Sequence, residues 1–145
     1  MNGKRILIVD DDAVVTTRLS LVLKHYGYET LSAVDGSEAV SIARQEIPSL
    51  IILDISFPPD VAHGGGVPWD GFLIMDWLHR LEEAKNIPII VITGSSQKKY
   101  QDLAKAKGAI AFFQKPIDER GLVAVIQKTI GEGQLPPAPP PLPAA

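Results

Sequence analysis

The stretch Ile6-Leu7-Ile8-Val9-Asp10-Asp11-Asp12 decides how this chain folds, because an unbroken apolar run stops abruptly at three aspartates. Continuous rather than alternating apolar residues are typical of a parallel strand that is covered on both faces of its sheet. The run is too short for a signal peptide or a membrane span. It therefore predicts a buried strand with a cluster of carboxylates at its end.

Similar strand-length runs recur along the chain, with helical patterns between them. The predicted strands are Ile6–Val9, Tyr28–Ala33, Leu50–Leu53, Ile87–Ile92 and Ala109–Phe113. The predicted helices are a stripe from Val15 to Tyr26 that stops at Gly27, Glu38–Gln45 capped by Ser37, a stripe from Ile74 to Leu81 that includes Trp77, Ser95–Lys107, and a stripe from Leu122 to Ile130. This repeated alternation predicts an α/β fold, a doubly wound five-stranded parallel sheet with the flavodoxin-like strand order 2-1-3-4-5.

The composition limits the class of protein. The chain has 145 residues, enough for one domain, and it has no cysteine, which excludes disulfides and thiolate metal sites. The 14 basic and 17 acidic residues give a net charge of −3, too mild to indicate a nucleic-acid or membrane surface. We therefore expect a cytoplasmic protein that binds neither DNA nor membranes directly.

Two segments differ in composition from the rest. We expect one domain over residues 1–131 and a proline-rich, disordered or extended tail over residues 132–145. Within the tail, Pro136–Pro139 also has the P-x-x-P spacing of ligands for proline-binding domains. Within the domain, residues 59–69 form a predicted inserted loop with three successive glycines, either a tolerated surface insertion or a flap near the site.

Polar residues stand at the ends of four predicted strands. Asp10 and Asp11 follow the first strand, Asp54 follows the third, Thr93 ends the fourth and Lys115 follows the fifth. Because sites in such sheets form outside the carboxyl ends of the strands, we expect these side chains to converge. Clustered carboxylates need a cation, and oxygen ligands suit Mg²⁺. A carboxylate in such a pocket can act as a nucleophile and form an aspartyl-phosphate.

Taken in order, the motifs of the chain resemble the receiver domain of two-component response regulators over about residues 4–130. The motifs that carry the resemblance are the first strand with its aspartates, Ile51–Pro58 around Asp54, Asp70-Gly71-Phe72, Val91–Gly94 and Phe112–Pro116. The resemblance implies that Asp54 is phosphorylated. It also implies that Mg²⁺ is held by Asp10, Asp11, Asp54 and the backbone carbonyl of Ser56.

The resemblance further implies a conformational switch. Lys115 is expected to contact the phosphoryl oxygens, with the Lys115–Pro116 bond in the cis form that proline permits. Thr93 is expected to turn its hydroxyl toward the phosphate while Phe112 moves inward. Phe112 stands where the family often has tyrosine or histidine, so a static core position is the alternative. Asp12 is predicted to cap the first helix rather than to bind metal.

The resemblance implies partners as well. The phosphoryl donor is expected to be a histidine kinase or a histidine phosphotransfer protein, and the signal passes to a downstream protein, with a phosphorylation-dependent homodimer as one possible outcome. Only self-directed phosphotransfer and autodephosphorylation are expected, so the chain is not predicted to be an enzyme. The alternatives are a receiver-fold interaction module without phosphorylation, a flavodoxin, or a phosphatase of the haloacid dehalogenase type. That phosphatase would need an acid where Ser56 stands, and a flavodoxin would need Ser, Thr and Gly in place of the aspartates.

Overall fold

The computed structural model describes residues 4–55, 71–94 and 98–133. Ser56, the predicted insertion at 59–69 and all but the first two residues of the predicted tail lie outside the described residues. None of the helices within the described ranges is long and apolar enough to cross a membrane.

Strands and helices alternate along the whole described chain. The elements are β1 Arg5–Val9, α1 Ala13–His25, β2 Glu29–Ala33, α2 Gly36–Glu46, β3 Leu50–Asp54, α3 Gly71–Arg80, β4 Ile89–Thr93, α4 Lys98–Ala106, β5 Ala111–Gln114 and α5 Glu119–Ile130. All four strand pairs are parallel, and the sheet order is β2-β1-β3-β4-β5. The predicted α/β class and strand order are therefore confirmed.

The sheet carries a separate hydrophobic core on each face. Successive residues of β1 point to opposite sides, so Leu7 and Val9 pack into the core that includes α2 and α3, whereas Ile6 and Ile8 pack into the core that includes α1 and α5. Every residue of β3 and β4 is buried. Each fully buried aliphatic side chain contributes about 1.5–3 kcal/mol, so these two central strands hold the sheet rigid beneath the residues at its rim.

The helix termini confirm some sequence predictions and correct another. Asp12 caps α1 as predicted, because its carboxylate accepts a hydrogen bond from Val14 N at 2.9 Å. Gly27, with φ at +90°, follows the end of α1 in the conformation that glycine adopts most easily. The prediction that Ser37 caps α2 is wrong. Helix α2 begins earlier, and the Asp35 carboxylate accepts a hydrogen bond from Glu38 N at 2.8 Å, which leaves Ser37 exposed in the first turn.

The stripe predicted for α3 also needs a correction. Ile74 and Leu78 are fully buried as predicted, but Trp77 is 43% exposed. The buried face is centred on Ile74, Met75 and Leu78, so Trp77 lies at its margin. The fourth strand begins at Ile89 rather than at Ile87. Pro88 has no N–H for the ladder, and its carbonyl instead accepts a hydrogen bond from Ile51 N at 3.0 Å.

Candidate functional site

Three buried polar residues stand at one rim of the sheet. Asp10, Asp54 and Thr93 are exposed by only 0%, 2% and 1%. They lie at the carboxyl ends of β1, β3 and β4, which are neighbours in the sheet. The sheet order thus brings together residues that are far apart in the sequence. Burying ionisable groups is costly unless they are paired, so this rim requires a compensating cation.

Lys115 supplies a positive charge from the end of β5. Its backbone N–H donates a 2.7 Å hydrogen bond to the Thr93 carbonyl, which extends the register of β4 and β5 by one residue. Its ammonium lies 3.0 Å from Asp54 Oδ2, in a hydrogen bond, and 2.9 Å from Asp10 Oδ2. The Lys115–Pro116 peptide bond is cis. The lysine therefore bridges the two buried carboxylates.

Asp10 has one satisfied carboxylate oxygen and one unsatisfied oxygen. Oδ1 accepts a hydrogen bond from Asp12 N at 2.9 Å. Oδ2 is buried and accepts no hydrogen bond within the described part of the chain. Its 2.9 Å separation from Lys115 Nζ is that of an ion pair, but the two groups are not aligned as a hydrogen bond. A buried anionic oxygen that accepts no hydrogen bond can bind a further cation.

The electrostatics of the rim agree with this geometry. Burial raises the pKa of Asp10 from 3.8 to about 6, and the charge of Asp54 adds to the rise, whereas Asp12 N–H and Lys115 offset part of it. Burial alone would lower the pKa of Lys115, but its contacts with Asp10 and Asp54 outweigh burial and raise it. Lys115 therefore stays charged while the carboxylates beside it remain incompletely neutralised.

A third carboxylate completes the acidic group. One carboxylate oxygen each from Asp10, Asp11 and Asp54 lie within 4.8 Å of one another, with Asp11 exposed and the other two buried. With Lys115 included, the four side chains carry a formal charge of −3 + 1 = −2. Hard oxygen ligands, an open side toward solvent and this residual charge fit a small divalent cation such as Mg²⁺. The sequence thus predicted correctly that these carboxylates converge; the predicted ligand Ser56 lies outside the described residues.

Phe112 belongs to the packing behind the site. It is half-buried against the core cluster of α2, α3 and α4. Two further aromatic rings pack on the same cluster, Phe72 at the start of α3 and Tyr100 in α4, and they stack with centroids 6.2 Å apart at 19°. In this conformation Phe112 is a core residue. The stack between Phe72 and Tyr100 was missed from the sequence, since nothing in either segment indicates that the two helices lie side by side.

A second missed feature lies beside Asp54. A Cβ atom at Gly71 would overlap the backbone and side chain of Ile55, so glycine is required where α3 begins. Ile55 follows Asp54 directly, and its N–H donates a 3.0 Å hydrogen bond to the Ile92 carbonyl. The chain therefore leaves β3 and returns to α3 at almost the same point. The only sequence signal was the glycine itself.

The sequence matches the family described as response regulator receiver domain over residues 6–127. The chain belongs to this receiver family. Protein PilH of Pseudomonas aeruginosa is 32% identical to this receiver over 126 residues, which cover 87% of the present chain and 97% of PilH.

Solved structures agree with the receiver assignment. A CheY-like receiver domain from Methanospirillum hungatei JF-1 superimposes with a TM-score of 0.76 at 27% identity, covering 89% of this chain and 94% of that chain. The receiver domain of the sensor histidine kinase PA1611 from Pseudomonas aeruginosa PAO1 gives a TM-score of 0.75 at 25% identity, covering 90% of this chain and 99% of that chain. That structure is described with a magnesium ion coordinated in its active site cleft.

Proposed function

We propose that this receiver is a phosphorylation-controlled signalling switch in which Asp54 accepts the phosphoryl group. The observation that carries the proposal is the Lys115 ammonium, which bridges Asp54 and Asp10 at the buried rim. An aspartate that is buried, held by a lysine and placed beside two other carboxylates is positioned for phosphoryl transfer, which depends mostly on positioning and charge neutralisation. Family membership supports the same role.

We propose Mg²⁺ as the cation of the site, with Asp10, Asp11 and Asp54 as side-chain ligands and the carbonyl of Ser56 as a further ligand. When bound, the ion would neutralise the acidic group and orient phosphoryl oxygens. The formal charge of the four side chains, −2, then becomes zero. The buried, unsatisfied Oδ2 of Asp10 gives this assignment its support within this chain.

The transfer step follows from the groups at the rim. A carboxylate oxygen of Asp54 attacks the phosphorus of a phosphohistidine, the P–N bond breaks, and the imidazole leaves with a proton from solvent. Lys115 holds the phosphoryl oxygens as their charge develops. Hydrolysis of the aspartyl-phosphate by water then returns Asp54 and inorganic phosphate. The chain acts on itself, so it is a switch rather than an enzyme with an external substrate.

The output is proposed as a change of protein contacts. Thr93 would follow the phosphoryl group through its hydroxyl, and Phe112 would repack behind it, which shifts the balance between two conformations of the rim and the α4 side. The donor is a histidine kinase or a histidine phosphotransfer protein, and the receiver of the signal is a downstream protein or a second copy of this chain. We place the domain at residues 1–131, in the cytoplasm, with the insertion at 59–69 and the tail at 132–145 as accessory segments.

The proposal is tested by phosphorylation with a small-molecule donor. The protein is incubated with acetyl phosphate and Mg²⁺, and intact mass spectrometry detects the added phosphoryl group. Asp54→Asn should abolish the label. Asp102→Asn, at an exposed aspartate in α4, is the matched control and should leave it intact. An unlabelled wild-type chain that also shows no Mg²⁺-dependent spectral change with beryllium fluoride would support the alternative, an interaction module without phosphorylation.

A further inference from the structure

The open edge of β2 lies outside the proposed phosphorylation machinery. β2 is the first strand in the sheet order, and among the described residues only β1 pairs with it. A groove of about 590 Å³ lies beside this edge. Lys24 and Thr30 line the groove from the face of the sheet that carries α1, whereas Arg5 and Leu31 line it from the face that carries α2. The groove therefore follows the strand edge rather than one face of the sheet.

The backbone of β2 presents hydrogen-bonding groups on its open side. The Glu29 N–H donates a 3.0 Å hydrogen bond to the residue before β1, and the Ala33 carbonyl accepts a 3.1 Å hydrogen bond from the residue after β1. Because the orientation of these groups alternates along a strand, Leu31 also faces β1, while Thr30 and Ser32 direct their N–H and carbonyl groups away from it. Thr30 and Ser32 therefore each offer a donor and an acceptor to a further strand.

The edge lacks the features by which proteins usually block strand addition. β2 contains no proline and no lysine, and its five residues pair with β1 in an unbroken register, so no bulge bends the strand away. Its one charged residue, Glu29, stands at the first position of the strand. The edge of β2 is therefore competent to pair.

The sequence of β2 is complementary to itself in one antiparallel register. When two copies are related by a two-fold axis at Leu31, Thr30 of each copy faces Ser32 of the other, and these are the residues whose backbone groups point outward. The same register sets Leu31 against Leu31 and Glu29 against Ala33. Hydroxyl meets hydroxyl, leucine meets leucine and no like charges are opposed, which are the favourable cross-strand pairs. A second copy of this chain therefore fits the edge.

The charges on the face that carries α1 also favour a second copy. α1 runs antiparallel to β2, so the exposed Asp12 that caps this helix lies at the carboxyl end of the strands, and the exposed Lys24 of its last turn lies beside the amino end of β2. Antiparallel pairing exchanges these ends between the two copies. The acidic end of each α1 then faces the basic end of the other, so the charges are complementary twice.

We propose that two copies of this chain pair through their β2 edges, antiparallel, about a two-fold axis at Leu31. The outward backbone groups of Thr30 and Ser32 bond between the copies, and the two five-stranded sheets become one. β2 and β5 are the opposite edges of the sheet, so this pairing leaves the β5 edge accessible. The inference does not depend on phosphorylation of Asp54.

Sedimentation velocity on the complete chain, in a chelator and without a phosphoryl donor, tests the pairing. We expect a dimer whose population grows with concentration. Ser32→Pro removes an N–H that the ladder with β1 does not use, so circular dichroism should show an intact fold while the dimer is lost. Ser32→Val keeps the N–H and is the matched control, which should dimerise like the wild type. Lys24→Glu should weaken dimerisation about tenfold, whereas Lys128→Glu, at an exposed lysine in α5, should not change it.

Disulfide cross-linking tests the register. The chain has no cysteine, so each single substitution reports one position. Leu31→Cys places two thiols at the two-fold axis, where opposite Cα atoms of a non-hydrogen-bonded pair lie about 4.5 Å apart, within the range of a disulfide. Mild oxidation should therefore give a covalent dimer on a denaturing gel. Ile47→Cys, at a residue that is 56% exposed and lies outside β2, is the control and should stay monomeric.

Several results would overturn the proposal. A wild-type chain that stays monomeric at every concentration is one, and equal cross-linking of the Leu31→Cys and Ile47→Cys variants is another. Identical sedimentation of the Ser32→Pro and Ser32→Val variants would exclude the β2 edge. A dimer that forms only with acetyl phosphate would assign the association to the switch instead. Asp54→Asn should keep the dimer, so failure of the phosphorylation proposal is distinguishable from failure of this one.

Discussion

Asp54 and Lys115 stand 61 residues apart in the sequence, yet their side chains meet in a 3.0 Å hydrogen bond at the rim of the sheet. The lysine is also paired with Asp10, so a single ammonium serves two buried carboxylates. The free energy of unfolding therefore depends on Lys115 and on any cation that binds the same two carboxylates.

Lys115→Met should destabilise the metal-free protein. The substitution keeps much of the side-chain volume but leaves Asp10 and Asp54 buried without a cation, which should lower the free energy of unfolding by about 2 kcal/mol. Urea unfolding in a chelator measures the change. Added Mg²⁺ should restore part of the loss, because it neutralises the same carboxylates. Lys128→Met, at an exposed lysine in α5, is the control; an equal loss in both variants would contradict the prediction.

Asp10→Asn should stabilise the metal-free protein most strongly above pH 6. Burial raises the pKa of Asp10 in the folded state to about 6 from 3.8, so the folded state binds this proton more tightly than the unfolded state. The wild type therefore gains stability as the pH falls from 6 toward 4, and asparagine removes that dependence. The advantage of the Asp10→Asn variant in free energy of unfolding is expected to be about 3 kcal/mol at pH 7.5 and to shrink at pH 4.5. Urea unfolding in a chelator at several pH values measures it, and a difference independent of pH would refute the assignment.

Gly71→Ala should destabilise the junction after β3. The added methyl group would overlap the Cα and Cβ atoms of Ile55, and backbone atoms cannot move aside as a flexible side chain can. Overpacking of this kind costs about 1–3 kcal/mol. Gly94→Ala is the control, since a Cβ there would meet no heavy atom within 4 Å, and its effect should stay within about 0.5 kcal/mol. The thermal unfolding midpoints of the two variants test this prediction, and equal midpoints would contradict it.

Ile47→Gly should stabilise the fold although it removes an isoleucine. Ile47 ends α2 with φ at +44° and ψ at +67°, a left-handed conformation that is strained for a β-branched residue, and its side chain is 56% exposed. Relief of strain should exceed the entropic cost of glycine, for a net gain of about 0.5–1 kcal/mol.

The control for this gain is Ile110→Gly. Ile110 is similarly exposed but has no positive φ, so glycine there should cost stability. Denaturant midpoints for the two variants should therefore move in opposite directions. A fall in both midpoints would show that the conformation of Ile47 is not strained.

The sheet and the acidic rim could be predicted from the sequence because both follow from simple patterns. Continuous apolar runs such as Leu50–Leu53 identify central parallel strands, and polar residues that stop these runs must lie at the carboxyl rim. Asp10, Asp54 and Lys115 were found in this way. Asp12 was identified as a cap because a short acceptor side chain before a helical stripe has one main structural use.

What the sequence did not predict depends on tertiary geometry. Asp35 and Ser37 are both good capping residues, and only the packing of α2 on the sheet decides where that helix begins. Trp77 fits the helical period but lies at the edge of the buried face. A Cβ atom at Gly71 would overlap Ile55, and the Phe72 ring stacks on the Tyr100 ring. In each pair the two residues come from different segments of the chain, and the sequence pattern does not show that these segments lie close together.

The close approach of Ile55 and Gly71 has a practical consequence for protein engineering. Because the two residues touch, the sequence between them starts and finishes at one point, and its length makes no demand on the positions of β3 and α3. Loop closure entropy changes only slowly with length, so sequences of different size are tolerated between such fixed ends. The junction is thus a natural place to graft a reporter or a binding peptide after Ser56, close to Asp54, where it would sense the chemistry of the rim while the sheet keeps its shape.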